Sequence, residues 1–446
     1  MKVILFVIDT LRADHLGCYG YFRNTSPTID KLAEEGVRFP NSYASSVATG
    51  PGFSSIITGL TALNHGFYLT PYDVPNAIDF DDDIPNLPEM IWDGREEVTT
   101  AAFDNLINFR SHMDQFVRGF EYYVNVTRTS DWLHHHVVGG DVNDRLLPWI
   151  ESHSDEDFFL FVHYWDPHTP YNQPDEYTDL FHHERGNISD LELRRSKEGY
   201  EYVPGWGKKD QIFEGLDKPG EEAEKHPRSI DTYDEEIRYT DHLIEEVLTK
   251  LEKTQILDDT TLIVTADHGE QLGQHGMYGH GGLHEPNIHI PLILWGSGIE
   301  RKSNIESYVQ HVDIAPTILD LMNIDDHPPL DGQSLLPLNG ASDDREKIIV
   351  ETNGQRAVLE DKMKYIWHHQ GEPKWNPGTE DELYDVRSDP MEINNIRDER
   401  KDKANEMRND LKEWVEKQLE GKIDPLKYCG RGAGLTPVIE RKNREK

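Results

Sequence analysis

Three apolar segments of the sequence each lead into carboxylate or imidazole side chains. The segments and their polar endings are Val3 to Ile8 with Asp9, Thr261 to Ala266 with Asp267 and His268, and Phe158 to His163 with Asp166 and His168. Short apolar runs of this kind are typical of buried strands in a parallel sheet, and open α/β sheets place ligand sites at the carboxyl ends of such strands. One such ending would be ordinary, but three of them predict a site with carboxylate and imidazole chemistry.

A threonine followed by glycine and proline offers a second kind of chemistry. Thr49 precedes Gly50 and Pro51, which break the preceding loop, and the apolar residues that follow can begin a helix. The Thr49 hydroxyl would then lie at a helix N terminus, where an anion meets free backbone N–H groups and the positive end of the helix dipole. Taken alone, this pattern is more often an ordinary helix cap than a reactive site.

The elements that must position these residues alternate along the chain. The segment Ser26 to Gly36 has a serine cap, a proline at the first helical position and a terminal glycine, and Tyr233 to Lys253 carries apolar residues at helical spacing. Helices between strands predict a large, mostly parallel sheet covered on both faces. The polar stretch at about 184–227 lacks periodicity and predicts an inserted surface region.

The pattern changes in the last quarter of the chain. Short strand-like runs with turn residues between them are followed by an amphipathic helical segment; these are Lys347 to Val350, Arg356 to Leu359, Met363 to Trp367 and Lys401 to Leu419. They predict a small antiparallel sheet with one closing helix. We therefore expect an α/β domain at 1–338 and a C-terminal α+β subdomain at 339–446.

Composition limits the partners and the compartment. The chain has 45 Lys and Arg against 83 Asp and Glu, a net charge of −38, and such a surface repels nucleic acid and anionic membranes. Its two cysteines, Cys18 and Cys429, are too few for a disulfide framework. The apolar start is too short to span a membrane and lacks a cleavage site, so the default expectation is a cytoplasmic protein without a membrane span.

The order of motifs resembles the sulfatase branch of the alkaline phosphatase superfamily. The matching segments are Asp9 to Gly20, Ser26 to Ala33, Thr49 to Gly59, Asp166 to Tyr171, Thr265 to Glu270, Pro291 to Leu294, Asp313 to Thr317 and Glu382 to Val386. Thr49 to Gly59 falls where that family has its Cys/Ser-x-Pro-x-Arg signature. The resemblance extends to about residue 396, and it implies an alkaline-phosphatase-like three-layer sandwich.

The resemblance also implies a metal site. It makes Asp9, Asp267 and His268 metal ligands, with Thr49 as the nucleophile and a further ligand. Two carboxylates and an imidazole form a mixed oxygen and nitrogen set suited to Mn²⁺, Zn²⁺, Mg²⁺ or Ca²⁺. Coordination would lower the pKa of the Thr49 hydroxyl, and the same ion would offset charge on the ester oxygens.

Several histidines and neighbouring residues are further candidates for the site. The resemblance places His168 and His280 on the substrate side, as a general acid or a hydrogen-bond donor, and many relatives have lysine in place of His280. His275, Thr10 and Arg12 are weaker candidates for the site, with Arg12 expected either to support Asp9 or to contact the substrate. The remaining candidates are expected to be structural; they are Asp14, His15, His284 and His289.

Departures from the signature bear on the reaction. Thr49 stands where sulfatases convert Cys or Ser to formylglycine, and its β-methyl group excludes that aldehyde. Phe53 replaces the signature arginine, and Thr10 replaces the second of the paired aspartates. An Asp-Thr start with an Asp-His second segment looks more like the phosphodiesterase and phosphonate-ester hydrolase relatives and the lipoteichoic acid synthases.

The sequence therefore favours a metal-dependent hydrolase of a phosphodiester, phosphonate or related anionic ester, small or derived from a glycan or lipid. Three alternatives stay open. They are a sulfatase that works without formylglycine, a transferase that moves a phospho-group to an acceptor, and a non-catalytic binding protein on the same fold. The oligomeric state is not predicted.

Overall fold

The structure is a computed structural model that describes residues 1–67, 83–105, 116–127, 138–169, 171–181, 202–203, 207–208, 230–272, 274–276, 278–299, 303–338, 345–352, 354–368, 380–421, 424 and 426. Within these ranges the α-helices are α1 (Pro27–Glu35), α2 (Thr49–Thr58), α3 (Ala62–His65), α4 (Leu87–Gly94), α5 (Gly139–Ser152), α6 (Ile230–Lys253), α7 (Glu285–Ile288), α8 (Ile314–Leu321) and α9 (Lys401–Leu419).

The strands in the same ranges are β1 (Lys2–Ile8), β2 (Val37–Arg38), β3 (Ser42–Tyr43), β4 (Thr99–Asp104), β5 (Tyr122–Asn125), β6 (Phe158–Tyr164), β7 (Tyr202–Val203), β8 (Gly207–Lys208), β9 (Thr260–Ala266), β10 (Gln271–Leu272), β11 (Tyr278–Gly279), β12 (Leu292–Gly296), β13 (Ser303–Asn304), β14 (Val309–Gln310), β15 (Lys347–Thr352), β16 (Gln355–Glu360), β17 (Met363–His368) and β18 (Glu382–Asp385).

A large mixed sheet organises the first three quarters of the chain. It has eight strands in the order β13-β2-β12-β9-β1-β6-β4-β5. Strands β9, β1, β6, β4 and β5 run parallel, whereas β12 pairs antiparallel with both β9 and β2. The predicted mostly parallel sheet is therefore confirmed, and β1 lies at its centre between β9 and β6.

The central strand β1 is buried on both faces, as its continuous apolar sequence predicts. Val3, Leu5 and Val7 point into a core formed with α2, α4 and α8. The alternate residues of the strand join a second core, formed with α1, α5 and α6. Two helical layers therefore cover the sheet, which confirms the predicted three-layer arrangement.

A four-stranded antiparallel sheet, in the order β15-β16-β17-β18, follows the large sheet in sequence. One of its faces packs against α9, and the other packs against residues that include Tyr43 and Val47. An isolated parallel bridge joins Ser46 to Glu351 in β15. The C-terminal sheet with its closing helix, predicted from sequence, is therefore confirmed, and it contacts the segment that leads into Thr49.

Two predictions, of an inserted surface region and of no membrane span, can be compared with the described residues only. The predicted insertion at about 184–227 falls outside them except for the short strands β7 and β8. Across the described part of the chain, no helix is both long enough and apolar enough to cross a membrane.

Candidate active site

Strand order brings the predicted carboxylates together. In the parallel pairing of β1 with β9, Ile8 lies opposite Ala266, so Asp9 and Asp267 leave the sheet side by side. Both side chains are fully buried. The oxygen atoms of Asp9 and Asp267 and a ring nitrogen of His268 lie within 4.8 Å of one another. The three residues expected to hold a metal therefore form one cluster.

Helix α2 places Thr49 beside this cluster. Thr49 is the first residue of the helix, and its hydroxyl lies 3.4 Å from Nε2 of His268. The preceding residue, Ala48, has φ of 88° and ψ of 143°, a conformation that L-residues rarely adopt. A Cβ on Gly52 would lie 2.8 Å from the Asp267 carbonyl oxygen, so only glycine lets the helix approach this closely.

Backbone and side-chain hydrogen bonds fix the orientation of the cluster. Oδ1 of Asp267 accepts from the amides of Thr10 at 3.0 Å and His268 at 2.8 Å. Nδ1 of His268 donates to the carbonyl of Gly269 at 2.8 Å. Because Nδ1 then carries the ring proton, Nε2 carries the lone pair, and Nε2 is the atom nearest both Thr49 and Oδ2 of Asp267.

Several oxygens of the cluster have no hydrogen-bond donor. No donor among the described residues reaches either carboxylate oxygen of Asp9 or Oδ2 of Asp267, and all three oxygens are buried. Burial raises the pKa of Asp9 well above its usual value, and the charges of Asp267 and Glu270 raise it further. Burial also raises the pKa of Asp267 to about 7, while it holds the pKa of His268 well below its usual value. The cluster of Asp9, Asp267 and His268 therefore carries no positive charge of its own.

These features fit a divalent cation. Buried carboxylates without donors are costly unless a cation or a proton compensates them. His268 is held neutral with its lone pair toward the carboxylates, which is the form in which histidine binds metals. Asp9, Asp267 and His268 are the residues that would hold the ion, and the Thr49 hydroxyl is close enough to complete the set.

His168, Glu270 and His280 form a neighbouring group. Their ligand atoms also lie within 4.8 Å of one another. The ring of His280 lies 4.5 Å from that of His268 and 5.2 Å from that of His168, measured between centroids. The structure therefore brings the two predicted substrate-side histidines to the edge of the Asp9 cluster, where both are partly exposed.

Thr10 and Arg12 hold the two strand-end segments together. Thr10, with φ of 56°, donates its amide to Asp267, and its carbonyl accepts from the Tyr233 hydroxyl at 2.6 Å. The fully buried guanidinium of Arg12 pairs with Asp14 and donates to the carbonyl of Glu270 at 3.2 Å. Arg12 thus links the loop after β1 to the loop after β9.

The other candidate histidines make structural contacts. His275 stacks on His284 at 3.6 Å between ring centroids, and His284 pairs with Glu382 of the C-terminal sheet. His15 forms a buried pair with Asp234 in α6. His289 donates to the carbonyl of Pro40. The contacts of His275 therefore lie toward the C-terminal sheet and not toward Thr49.

His163 is a site neighbour that the sequence did not single out. Its Nε2 lies 3.5 Å from Oδ2 of Asp9, and its side chain is fully buried. The Phe53 ring packs edge-on against His163, with 4.8 Å between ring centroids. An aromatic ring in this position, where the signature has arginine, adds no positive charge to the site.

Comparisons with known proteins agree with this geometry. The family description Sulfatase matches residues 2–324, and the description N-sulphoglucosamine sulphohydrolase, C-terminal, matches residues 273–421. The chain belongs to the sulfatase family. This membership makes it an ester hydrolase of the alkaline phosphatase superfamily, a group whose members generally use a divalent metal ion.

Three individual proteins show what this chain is similar to. The multifunctional alkaline phosphatase superfamily protein PehA of Trinickia caryophylli is 27% identical over 404 residues, which are 75% of this chain and 76% of that protein. The structure of BT4656 in complex with its substrate D-glucosamine-2-N,6-O-disulfate matches with a TM-score of 0.72 and 20% identity, covering 96% of this chain and 99% of that one. The phosphonate monoester hydrolase of Agrobacterium radiobacter matches with a TM-score of 0.67 and 19% identity, covering 95% and 96%. The last two establish the alkaline-phosphatase-like fold.

Proposed function

We propose that this chain hydrolyses a phosphodiester, a phosphonate or a related monoanionic ester with Thr49 as its nucleophile. The observation that carries the proposal is the 3.4 Å approach of the Thr49 hydroxyl to His268, beside the buried carboxylates of Asp9 and Asp267. A bound divalent cation would acidify the hydroxyl and offset charge on the ester oxygens. The mixed donor set suits Mn²⁺, Zn²⁺, Mg²⁺ or Ca²⁺.

Each residue of the site has its own role in the proposed reaction. Thr49 gives its hydroxyl proton to water and forms a bond to phosphorus, while the bond to the leaving oxygen breaks. His168 and His280 lie on the open side of the cluster and hydrogen-bond to the ester or give a proton to the leaving alcohol. Water then cleaves the threonine ester, and the second product leaves.

Phosphorus esters are favoured over sulfate esters by the residue at position 49. Threonine cannot give the formylglycine aldehyde, so the side chain itself must attack. The solved structures to which this chain is similar include phosphonate monoester hydrolases, which act on phosphorus. Asp9, Asp267 and His268 are all present, which supports turnover over mere binding on the same fold.

A sulfate ester is the second candidate, because the family is named for sulfatases and the BT4656 structure contains a sulfated sugar. Thr49 would then attack sulfur without the aldehyde. With either ester, water would take up the group that Thr49 carries. If an added alcohol took up that group instead, the protein would be a transferase. The ester itself would be small or derived from a glycan or lipid.

A substrate panel tests the proposal. The full-length protein is assayed with matched aryl phosphodiester, phosphonate monoester, phosphomonoester and sulfate ester substrates, with and without an alcohol acceptor. We expect turnover of the phosphodiester or phosphonate, and an unmodified Thr49 in the mass spectrum of its peptide. Release of sulfate without cleavage of any phosphorus ester would overturn the proposal.

A further inference from the structure

The backbone on both sides of His280 is rich in glycine. Gly279 precedes His280, and Gly281 and Gly282 follow it. Gly279 has φ of 91° and Gly282 has φ of 119°, values that residues with a side chain rarely adopt. Because glycine leaves the backbone many alternative conformations, this short segment cannot fix the position of the His280 imidazole by itself. Contacts farther along the chain in both directions must do so.

Two stacked rings close this segment into a loop. The imidazoles of His275 and His284 lie 3.6 Å apart between centroids, with 17° between their planes. One ring precedes His280 in the sequence and the other follows it, so the stack holds the two ends of the segment together. This segment, His275 to His284, is the His280 loop, and the structure describes it except at residue 277. The stacked pair forms the base of the loop.

Glu382 of β18 binds this base to the C-terminal sheet. Nε2 of His284 donates to Oε2 of Glu382 at 3.0 Å, and the Tyr384 hydroxyl donates to the same oxygen. Nε2 of His368 donates to Oε1 at 2.6 Å. Burial would raise the pKa of Glu382, but the charges and hydrogen bonds of His284 and His368 outweigh it and hold that pKa well below its usual value. Glu382 is therefore ionised, and hydrogen bonds to a charged acceptor are the stronger kind.

Two further contacts attach the His280 loop to the same part of the chain. The ring of His275 donates to the backbone carbonyl of Met391, in the loop after β18. Leu283 is fully buried in the core that the C-terminal sheet forms with the segment leading into Thr49. Both ends of the His280 loop are therefore held by the C-terminal part of the chain and not by the large sheet.

The middle of the same loop faces the reaction site. The His280 ring lies 4.5 Å from that of His268 and 5.2 Å from that of His168, between centroids, and its side chain is 27% exposed. A group that donates to a bound ester must come within about 2.6–3.2 Å of it. A displacement of about 1 Å is therefore enough to weaken that contact.

We propose that Glu382 is a positioning residue, which fixes the base of the His280 loop through His284 and the stacked His275 so that His280 contacts the ester. The inference deepens the proposed function and rests on its assignment of His280 to the substrate side. The C-terminal sheet thereby contributes to binding of the ester. Thr49 lies on α2, outside the His280 loop, so the attack on the ester depends less on this anchor.

Matched truncations of two neighbouring residues test the anchor. Glu382→Ala removes the acceptor of His284. Asp381→Ala is the control, because Asp381 is 14% exposed against 13% for Glu382 but accepts from the Tyr365 hydroxyl on the side of the sheet that packs against α9. Amide hydrogen exchange of the full-length proteins is measured in a peptide that covers residues 278–284, with α2 as the internal reference. Glu382→Ala should exchange at least about tenfold faster in that peptide alone, and Asp381→Ala should match wild type.

Steady-state kinetics separate positioning from a general loss of structure. The substrate is the aryl ester that wild type cleaves fastest. Glu382→Ala should raise KM about fivefold or more and change kcat by less than about twofold, since the nucleophile stays in place. His284→Phe keeps an aromatic ring for the stack with His275 but loses the N–H that reaches Glu382. It should reproduce both effects, and it decides the question if Glu382→Ala does not fold.

The two measurements distinguish failure of this inference from failure of the proposed function. Exchange at the wild-type rate in both Glu382→Ala and His284→Phe would overturn the anchor, and so would an equal acceleration in Asp381→Ala. Faster exchange with an unchanged KM would overturn the positioning of His280. Cleavage of sulfate esters alone would overturn the proposed function, whereas a higher KM for the sulfate ester in Glu382→Ala would still support the anchor.

Discussion

Asp9 and Asp267 each follow one member of a register pair, Ile8 and Ala266, at the ends of two neighbouring parallel strands. Most of the chain separates the two carboxylates in sequence, yet the pairing of β1 with β9 forces them together. Oδ1 of Asp267 accepts from two backbone amides, whereas neither oxygen of Asp9 has a donor in the part of the chain that the structure describes. The fold therefore brings two buried carboxyl groups together before any ligand arrives.

Thr49→Ala should abolish turnover and leave the fold intact. Loss of a covalent nucleophile usually costs orders of magnitude, and we expect a fall of at least about a hundredfold in kcat. The Thr49 hydroxyl lies at the long distance of 3.4 Å from His268, so its removal should change the melting temperature little. Thr49→Ser, which keeps the hydroxyl, should retain much of the activity. More than about a tenth of wild-type activity in Thr49→Ala would remove Thr49 from the mechanism.

Ala48→Gly should stabilise the protein and reduce its activity. Ala48 has φ of 88°, and a non-glycine residue held in such a region costs about 1–3 kcal/mol. The extra entropy of glycine in the unfolded chain costs about 0.5–1 kcal/mol, so relief of strain is the larger effect. A freer backbone before Thr49 would position its hydroxyl less well. Chemical denaturation and kcat are the measurements, and a less stable variant would contradict the strain argument.

The strands and helices that carry the site could be predicted from the sequence, but fewer of the contacts between them could. Polar residues at the ends of apolar runs marked Asp9 and Asp267, because side chains after buried strands emerge at one edge of a sheet. His163 was missed since it lies inside such a run, and its approach to Asp9 depends on β6 being the neighbour of β1. Strand order is a tertiary property that local patterns do not specify. The domain boundary at 338/339 stays a prediction.

Buried neutral histidines should make the protein sensitive to acid. Burial lowers the pKa of His65 to about 3, while Nδ1 accepts the Phe67 amide and Nε2 hydrogen-bonds to Ser55. Because the unfolded chain binds a proton near pH 6.5, this histidine contributes stability that is complete above pH 6.5 and is lost as the pH falls toward 3. His65→Asn should be less stable at pH 7 but lose less between pH 7 and pH 4.5. Denaturant midpoints across that range are the test, and equal slopes would contradict it.

Glu236 should position the segment that carries His168. Its Oε1 accepts from the amides of Asn172 and Gln173, and its side chain is fully buried in α6. Glu236→Ala should release the segment and raise KM several-fold while Thr49 remains in place. Glu236→Gln keeps an acceptor oxygen and should behave like wild type. If both variants lost activity equally, the charge of Glu236 and not its hydrogen bonds would matter.

Metal removal is the test on which the proposed mechanism depends most. Chelation should remove the cation that neutralises Asp9 and Asp267. It should therefore lower the melting temperature and stop ester cleavage together. An ion present at about one hundred times its Kd stabilises a fold by about 2.7 kcal/mol, which sets the expected loss. Asp267→Asn should reproduce the chelated state, because its Oδ1 can still accept the amides of Thr10 and His268 while the replaced Oδ2 no longer offers charge.

Asp14→Asn is the matched control for that experiment, since Asp14 is also an acidic residue in the loop after β1 but pairs with Arg12 and is 44% exposed. It should retain both the metal and the activity. Adding back a single kind of divalent ion should restore both the melting temperature and the turnover of the chelated wild type. Both should recover at the same ion concentration, because both depend on the same site. The contrary result would be activity that survives a strong chelator in a protein that contains no metal by elemental analysis. In that case protons, and not a cation, would neutralise the buried carboxylates. No cation would then lower the pKa of the Thr49 hydroxyl, and the proposed mechanism would fail.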